Sequence, residues 1–476
     1  MVEFKNVSFH YTNGHKSAGI ENVNLTIDKG EVVLLCGASG CGKSTLTRMV
    51  NGLIPDFYEG CFEGQVLVNG KDTCEVELYE LTPMVGSVFQ NPKSQFYTVL
   101  TDSEIVFACE NMGIPKEEIY KRFENVVNQF RMDKLLGKSL FKLSGGEKQK
   151  IACASIAALE PEILVMDEPT SNLDAAAICE LLEAISMWKE MGKTIIIAEH
   201  RISWLQDIAD RVILLEKGKI IFDKPMKEFV GLSIEQCHTL GLRSSNFLRH
   251  THNHEIKGFK DPLVEMNDFS FSYNKKSPDL QFERLTIPMN SVTAVVGLNG
   301  AGKSTMARCL CGLEKHMKGK ILVRGKQMSR KDLIQYAYMV MQDVNHQLFT
   351  ETVWEELMLS MEQQELSEKA KATKALETLS RFGLLEYKDV HPMSLSGGQK
   401  QRVSIACALV SGNELLIYDE PTSGLDYTNM VEVSRTILDM QKLGRTQLII
   451  THDRELISYC CDHMIGLEDG KVIHIS

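Results

Sequence analysis

KLSGGEKQKIACA, beginning at Lys142, and SLSGGQKQRVSIA, beginning at Ser394, are the stretches from which the fold can be read, because they are one pattern written twice. ILVMDEPTSNLD at Ile163 repeats in the same way as LLIYDEPTSGLD at Leu415, and IIIAEH at Ile195 as QLIITH at Gln447. Lys142 pairs with Ser394, Asp167 with Asp419, His200 with His452 and Gln90 with Gln342, each at an offset of 252 residues. A constant offset over so long a span means duplication of a whole domain. Lys43 and Lys303 lie 260 apart, so the first copy carries eight additional residues between its lysine and its glutamine. These fall within NGLIPDFYEGCFEGQ at Asn51, which reads as a surface excursion.

Within each copy, short apolar runs such as EVVLLC and ILVMD alternate with helical patterns. That alternation predicts an α/β fold with a mainly parallel core sheet. The opening segments EFKNVSFHY and VEMNDFSFSY read as antiparallel additions, and PKEEIYKRFENVVNQF and SEKAKATKALETLSRFG as parts of a helical subdomain in each copy. The predicted domains are 1–230 and 262–476, joined by a polar linker at 231–261. His250, His252 and His254 alternate in that linker and read as solvent-exposed rather than as metal ligands.

Composition fits a folded chain, with 43% hydrophobic and 24% charged residues among 476. A net charge of −11 gives no global attraction to nucleic acid or to an anionic membrane. The thirteen cysteines are scattered without a C-x-x-C pair, which predicts reduced thiols rather than zinc or redox chemistry. No apolar run approaches the eighteen or so residues that a membrane span requires.

Two glycine-rich loops carry the chemistry. GASGCGKST supplies Gly37, Ala38, Ser39, Gly40, Cys41, Gly42, Lys43, Ser44 and Thr45; GLNGAGKST supplies Gly297, Leu298, Asn299, Gly300, Ala301, Gly302, Lys303, Ser304 and Thr305. Both satisfy G-x-x-x-x-G-K-[ST] between a predicted strand and a predicted helix, where main-chain N–H groups and a helix N-terminus can cradle phosphate. Lys43 and Lys303 are expected to reach the β/γ-phosphates, and Ser44 and Ser304 to hold Mg²⁺. Asp167 and Asp419 end apolar strands and are positioned to complete the metal shell. Glu168 and Glu420 follow directly; successive strand residues face opposite ways, so aspartate and glutamate can divide metal and water between them.

In both copies a phosphate loop, LSGG, a hydrophobic run ending in Asp-Glu and a downstream histidine occur in the order of the ATP-binding-cassette ATPases, which the chain resembles over nearly its whole length. The resemblance implies an ATPase using ATP and Mg²⁺. It implies a head-to-tail pseudo-dimer of the two copies, with Lys43 facing Ser396, Gly397 and Gly398, and Lys303 facing Ser144, Gly145 and Gly146. It further implies that Gln90 and Gln342 contact metal and water, that Glu168 and Glu420 are general bases, and that His200 and His452 contact the γ-phosphate. Asp174 and Asp426 would tie the halves together, and Tyr11 and Tyr273 would stack on adenine. Neither copy lacks a residue of this set. Glu147, where the second copy has Gln399, puts a carboxylate near the site of Lys303 and is expected to weaken nucleotide binding there.

NGLIPDFYEG and HPMSLSGGQKQRVSIACAL look like the energy-coupling-factor type, which serves vitamin and transition-metal uptake. Its partners would be a transmembrane coupling protein and a small substrate-binding membrane protein, with the chain peripheral on the cytoplasmic face of the membrane. QNPKSQF at Gln90 and QDVNHQLF at Gln342 are where apolar residues would receive the partner. The competing expectation is a soluble tandem ATPase acting on ribosomes or nucleic acid, against which the acidic balance and short linker speak.

Overall fold

A computed structural model describes residues 1–12, 19–170, 173, 175–243, 262–274 and 278–475. The chain folds as two compact units, one for each sequence copy. The strands of the first are β1 (Val2–Tyr11), β2 (Gly19–Ile27), β3 (Val32–Cys36), β4 (Gly60–Val68), β5 (Lys71–Asp72), β6 (Val85–Val88), β7 (Ile163–Asp167), β8 (Thr194–Ala198), β9 (Arg211–Glu216) and β10 (Lys219–Pro225). They form an antiparallel sheet in the order β2-β1-β4-β5 and a six-stranded sheet in the order β10-β9-β3-β8-β7-β6. All neighbours in the larger sheet are parallel except β9 and β10. Its central strands are buried along their whole length, as their unbroken Val, Ile and Leu runs require in a sheet covered on both faces.

The second unit repeats this plan. Its strands are β11 (Pro262–Phe271), β12 (Leu280–Pro288), β13 (Val292–Val296), β14 (Lys318–Val323), β15 (Lys326–Gln327), β16 (Ala337–Val340), β17 (Leu415–Asp419), β18 (Thr446–Ile450), β19 (His463–Glu468) and β20 (Lys471–Ile475). The sheet orders are β12-β11-β14-β15 and β16-β17-β18-β13-β19-β20. The expected parallel core sheet and antiparallel addition are therefore present in both units.

The expected helical subdomain follows the glutamine in each unit. In the first it comprises Thr101–Asn111, Lys116–Gln129 and Gly145–Ala158, and in the second Val353–Ser360, Glu368–Arg381 and Gly397–Val410. Helix Gly145–Ala158 buries Ile151, Ala152, Cys153, Ala154, Ala157 and Ala158, small side chains that allow close approach of neighbouring elements. Ile105, Cys109, Val126, Val127 and Phe130 join the same core from the other two helices.

Two expectations need adjustment. Residues 231–243, expected as linker, pack on the first unit: Ser233 and Gln236 form a capping box that opens helix Ile234–Thr239, and Cys237 and Leu242 are buried in the core beside Met226 and Phe229. One short turn of helix offers too few apolar positions to show a period, which is why it reads as linker. The remaining 244–261, with His250, His252 and His254, lies outside the described residues. The first-copy excursion is anchored as well as exposed, since Ile54 is fully buried while Phe57 is 68% exposed. No disulfide joins any of the cysteines among the described residues.

Candidate functional site

The registers of the core sheets decide what meets at the site. Leu35 of β3 is level with Ala198 of β8, and Ala198 with Asp167 of β7, so three adjacent parallel strands end together. The glycine loop leaves β3, the Asp-Glu pair leaves β7 and the histidine turn leaves β8. Ligands of parallel α/β sheets bind at this edge, outside the carboxyl ends of the strands. In the second unit β13, β17 and β18 are neighbours in the same way, with Asp419 level with Ile450.

Each glycine loop has a position that only glycine can fill. Gly37 has φ 137° and Gly297 φ 153°, and a Cβ there would fall 2.2 Å from the carbonyl oxygen of Leu215 or Leu467. Gly40 and Gly300 are different, since a Cβ at either would meet nothing within 4 Å. The mouth of the loop is open, and the helices Lys43–Val50 and Lys303–Leu310 begin beneath it. This cradle of N–H groups at a helix start suits an anion.

The loop lysines are buried and turned onto their own loops. Lys43 Nζ donates to Gly37 O at 2.8 Å and Ala38 O at 3.1 Å; Lys303 Nζ donates to Gly297 O at 2.6 Å and Leu298 O at 3.0 Å. Ser44 Oγ donates to Asp167 Oδ1 at 3.1 Å, and Ser304 bonds Asp419 likewise. Burial raises the Asp167 carboxyl above its ordinary range, with Glu168 adding to the effect, while the Ser44 bond and the Arg48 and Lys43 charges oppose it. Asp419 is also raised by burial, against Ser304 and Lys303. Hard oxygen donors of this kind, under-compensated by the charges around them, fit a Mg²⁺ ion.

Glu168 is bonded at both oxygens. Gln90 Nε2 donates to Oε2 at 2.6 Å and His200 Nε2 lies 2.8 Å from Oε1. Burial pushes its carboxyl up, but the His200 bond and charge, with Lys43, bring it below its ordinary value. Glu420 is arranged more loosely: His452 Nε2 lies 3.6 Å from it and 3.1 Å from Lys303 Nζ. Gln342, like Gln90, sits two residues beyond a short edge strand. Both glutamates hold a left-handed backbone, with φ 45° at Glu168 and 48° at Glu420. That conformation costs a non-glycine residue on the order of 1 kcal/mol, and it is kept at the equivalent position of both units.

Tyr11 and Tyr273 flank the loop helices. The Tyr11 hydroxyl is 3.2 Å from Thr45 Oγ1 and accepts from Arg48 at 3.1 Å; Tyr273 donates to Thr305 Oγ1 at 3.5 Å and Glu314 at 3.3 Å. The LSGG turns are helix starts. Ser144 caps Gly145–Ala158 and Ser396 caps Gly397–Val410, with Glu147 or Gln399 returning a bond to the capping residue's N–H at 2.8 Å. A capping box accepts glutamate or glutamine at this position, which accounts for the difference between the copies. Asp174 lies outside the described residues. The sequence reading did not single out Glu199 or Asp453, which flank the two histidines; the signal was the contrast of AEHR at Ala198 with ITHD at Ile450.

The family model for ABC transporter domains matches residues 20–171 and 280–423, the two spans that carry both loops and both Asp-Glu pairs. The chain belongs to the ABC transporter family. A candidate ABC transporter ATP-binding protein of Treponema denticola is 44% identical to this ABC ATPase over 99% of the chain and 96% of the relative. The candidate HMP/thiamine import ATP-binding protein YkoD of Bacillus subtilis is 34% identical over 98% of the chain and 90% of the relative. Among solved structures, ribosome-bound archaeal Pelota and ABCE1 matches 98% of this chain and 78% of that one, with a TM-score of 0.70. At 21% identity, that likeness shows the tandem fold alone. Two ABC domains with relatives of this kind make the protein an ATP-binding ATPase.

Proposed function

We propose that this ABC ATPase energises an importer of the energy-coupling-factor type, for a vitamin, a vitamin precursor or a transition metal. The observation that carries the reading is similarity along nearly the whole of a tandem relative named for HMP/thiamine import. Two features agree with it. No helix among the described residues is long and apolar enough to cross a membrane, so any membrane passage falls to other chains. Seven residues past each glutamine, a large aromatic side chain faces solvent: Tyr97 is 77% exposed and Phe349 74%. Such residues suit a membrane protein's cytoplasmic helix.

In this reading ATP is held by the glycine loops, with Lys43 and Lys303 leaving their own carbonyls for phosphate oxygens. Ser44, Asp167 and Gln90, and Ser304, Asp419 and Gln342, would hold Mg²⁺, whose chemistry is to draw charge from the phosphates. Glu168 and Glu420 take a proton from the attacking water, and His200 and His452 position the outgoing phosphate. The His200 bond and charge, with Lys43, hold the Glu168 carboxyl below its ordinary range against its burial, which favours the ionised state a proton acceptor needs.

The test is to tag the chain in its native host, extract membranes in mild detergent and identify what co-purifies. Two membrane proteins, one large and one small, are expected, and together they should restore uptake dependent on Glu168 and Glu420. Recovery without any membrane protein would sink the proposal.

A further inference from the structure

The residue before His200 is Glu199, where the second copy has Thr451; the residue after it is Arg201, where the second copy has Asp453. Glu199 is 3% exposed, and its carboxylate reaches two loops. Oε2 accepts from Thr170 Oγ1 at 2.5 Å, and Oε1 accepts from the main-chain N–H groups of His200 at 2.8 Å and Arg201 at 3.3 Å. Thr170 is 1% exposed and lies two residues beyond Glu168.

In the second copy, Thr422 Oγ1 donates to Asp453 Oδ2 at 2.6 Å. The other Asp453 oxygen accepts from the N–H groups of Glu455 and Leu456 at 3.1 and 3.2 Å. Each copy thus fastens the threonine past its Asp-Glu pair to the histidine turn with one buried carboxylate, but from opposite sides of the histidine. The main chain differs accordingly. The His200 N–H is taken by Glu199, whereas the His452 N–H points at Glu420 Oε2 at 3.5 Å, as does Thr451 Oγ1 at 3.4 Å.

We infer that Glu199 is a positioning residue of the first copy, fixing His200 and Glu168 relative to each other through the His200 main chain and Thr170, and that Asp453 does the corresponding work in the second copy through Thr422 and the main chain just past His452. The inference rests on the roles given above to Glu168 and His200. Charge-assisted bonds made by a buried carboxylate are strong and directional, so one side chain can hold two turns in register. A shift in either turn would move the proton acceptor off the water it serves.

The test uses the full chain, measuring ATP turnover against MgATP concentration and nucleotide binding at equilibrium. The loss on Glu168→Gln sets the scale. Glu199→Gln keeps an oxygen for the N–H groups but puts an NH₂ against the Thr170 hydroxyl. It is expected to lose well over half of the turnover that Glu168→Gln removes, as outer partners of reacting groups commonly cost about tenfold, with KM for MgATP within about twofold. Thr170→Val, equal in size, should lose as much. The double variant should lose no more than the worse single one, since both act on the same contact, Glu199→Gln by replacing its charge-assisted bond with a neutral one and Thr170→Val by removing the hydroxyl. Glu199→Thr with Arg201→Asp, which transplants the second copy's arrangement, should regain more than half of the turnover that Glu199→Gln loses.

Retention of more than half of that turnover in Glu199→Gln overturns the inference. So do losses that add in the double variant, a KM that rises in step with the fall in kcat, or a transplant no better than Glu199→Gln. A Glu168→Gln chain that keeps the full turnover of the unaltered one would instead remove the reading of Glu168 as proton acceptor, which keeps the two failures apart.

Discussion

The carboxyl of Asp167 shows how one side chain's environment carries both cost and use. Because burial raises it above 3.8, the folded chain holds this proton more tightly than the unfolded chain does. Stability contributed at this position therefore falls as pH rises from 3.8 through the raised value, and stays lower at neutral pH. Asp167→Asn, which can still accept from Ser44, is expected to raise the nucleotide-free Tm at pH 7 by roughly 2 °C, the effect of under 1 kcal/mol in a domain of this size. The same variant should lose the extra stabilisation that Mg²⁺ adds to ATP, and thermal scans with ATP plus chelator or plus Mg²⁺ would read both effects. The meeting of Ser44 with Asp167 beside Lys43 was legible in the sequence, because the glycine-loop motif fixes the spacing of its own residues and the aspartate ends an apolar strand of the same sheet. Glu199 and Asp453 were not, because the same work is done from two different positions and a motif records positions.

At the scale of elements, hydrophobic runs and helical periods were enough to foresee the parallel sheet, the antiparallel addition and the helical subdomain. Reading the end of the first domain was harder. Helix Ile234–Thr239 has only six residues, and its attachment comes from Cys237 inside it and Leu242 after it. Leu242 is fully buried, so Leu242→Ala is expected to cost about 2–4 kcal/mol in the first unit, measured as a lower denaturant midpoint. A true linker residue would give no change. The excursion after the first loop gave a similar lesson, since Ile54 is a buried anchor while Phe57, three residues on, is exposed.

Across the whole molecule, duplication was the clearest message of the sequence, because an offset of 252 residues links three separate motifs and needs no knowledge of structure. The competing expectation of a tandem ATPase acting on ribosomes or nucleic acid can be decided through charge. With a net charge of −11, salt-dependent binding to RNA phosphates is not expected. The chain should remain in the supernatant when ribosomes are pelleted at both low and physiological salt, with MgATP present. Pelleting that weakens steeply with salt would favour the ribosomal reading. The left-handed backbone at Glu168 and Glu420 bears on how such a protein can drift over generations. Each of these positions passes substitutions through two separate sieves, one for the carboxyl group and one for tolerance of the turn. Asparagine or glycine would suit the turn and lose the chemistry, whereas valine or isoleucine fails both. Inactive descendants of this duplication would therefore be expected to carry small or amide residues there, with the fold around them intact.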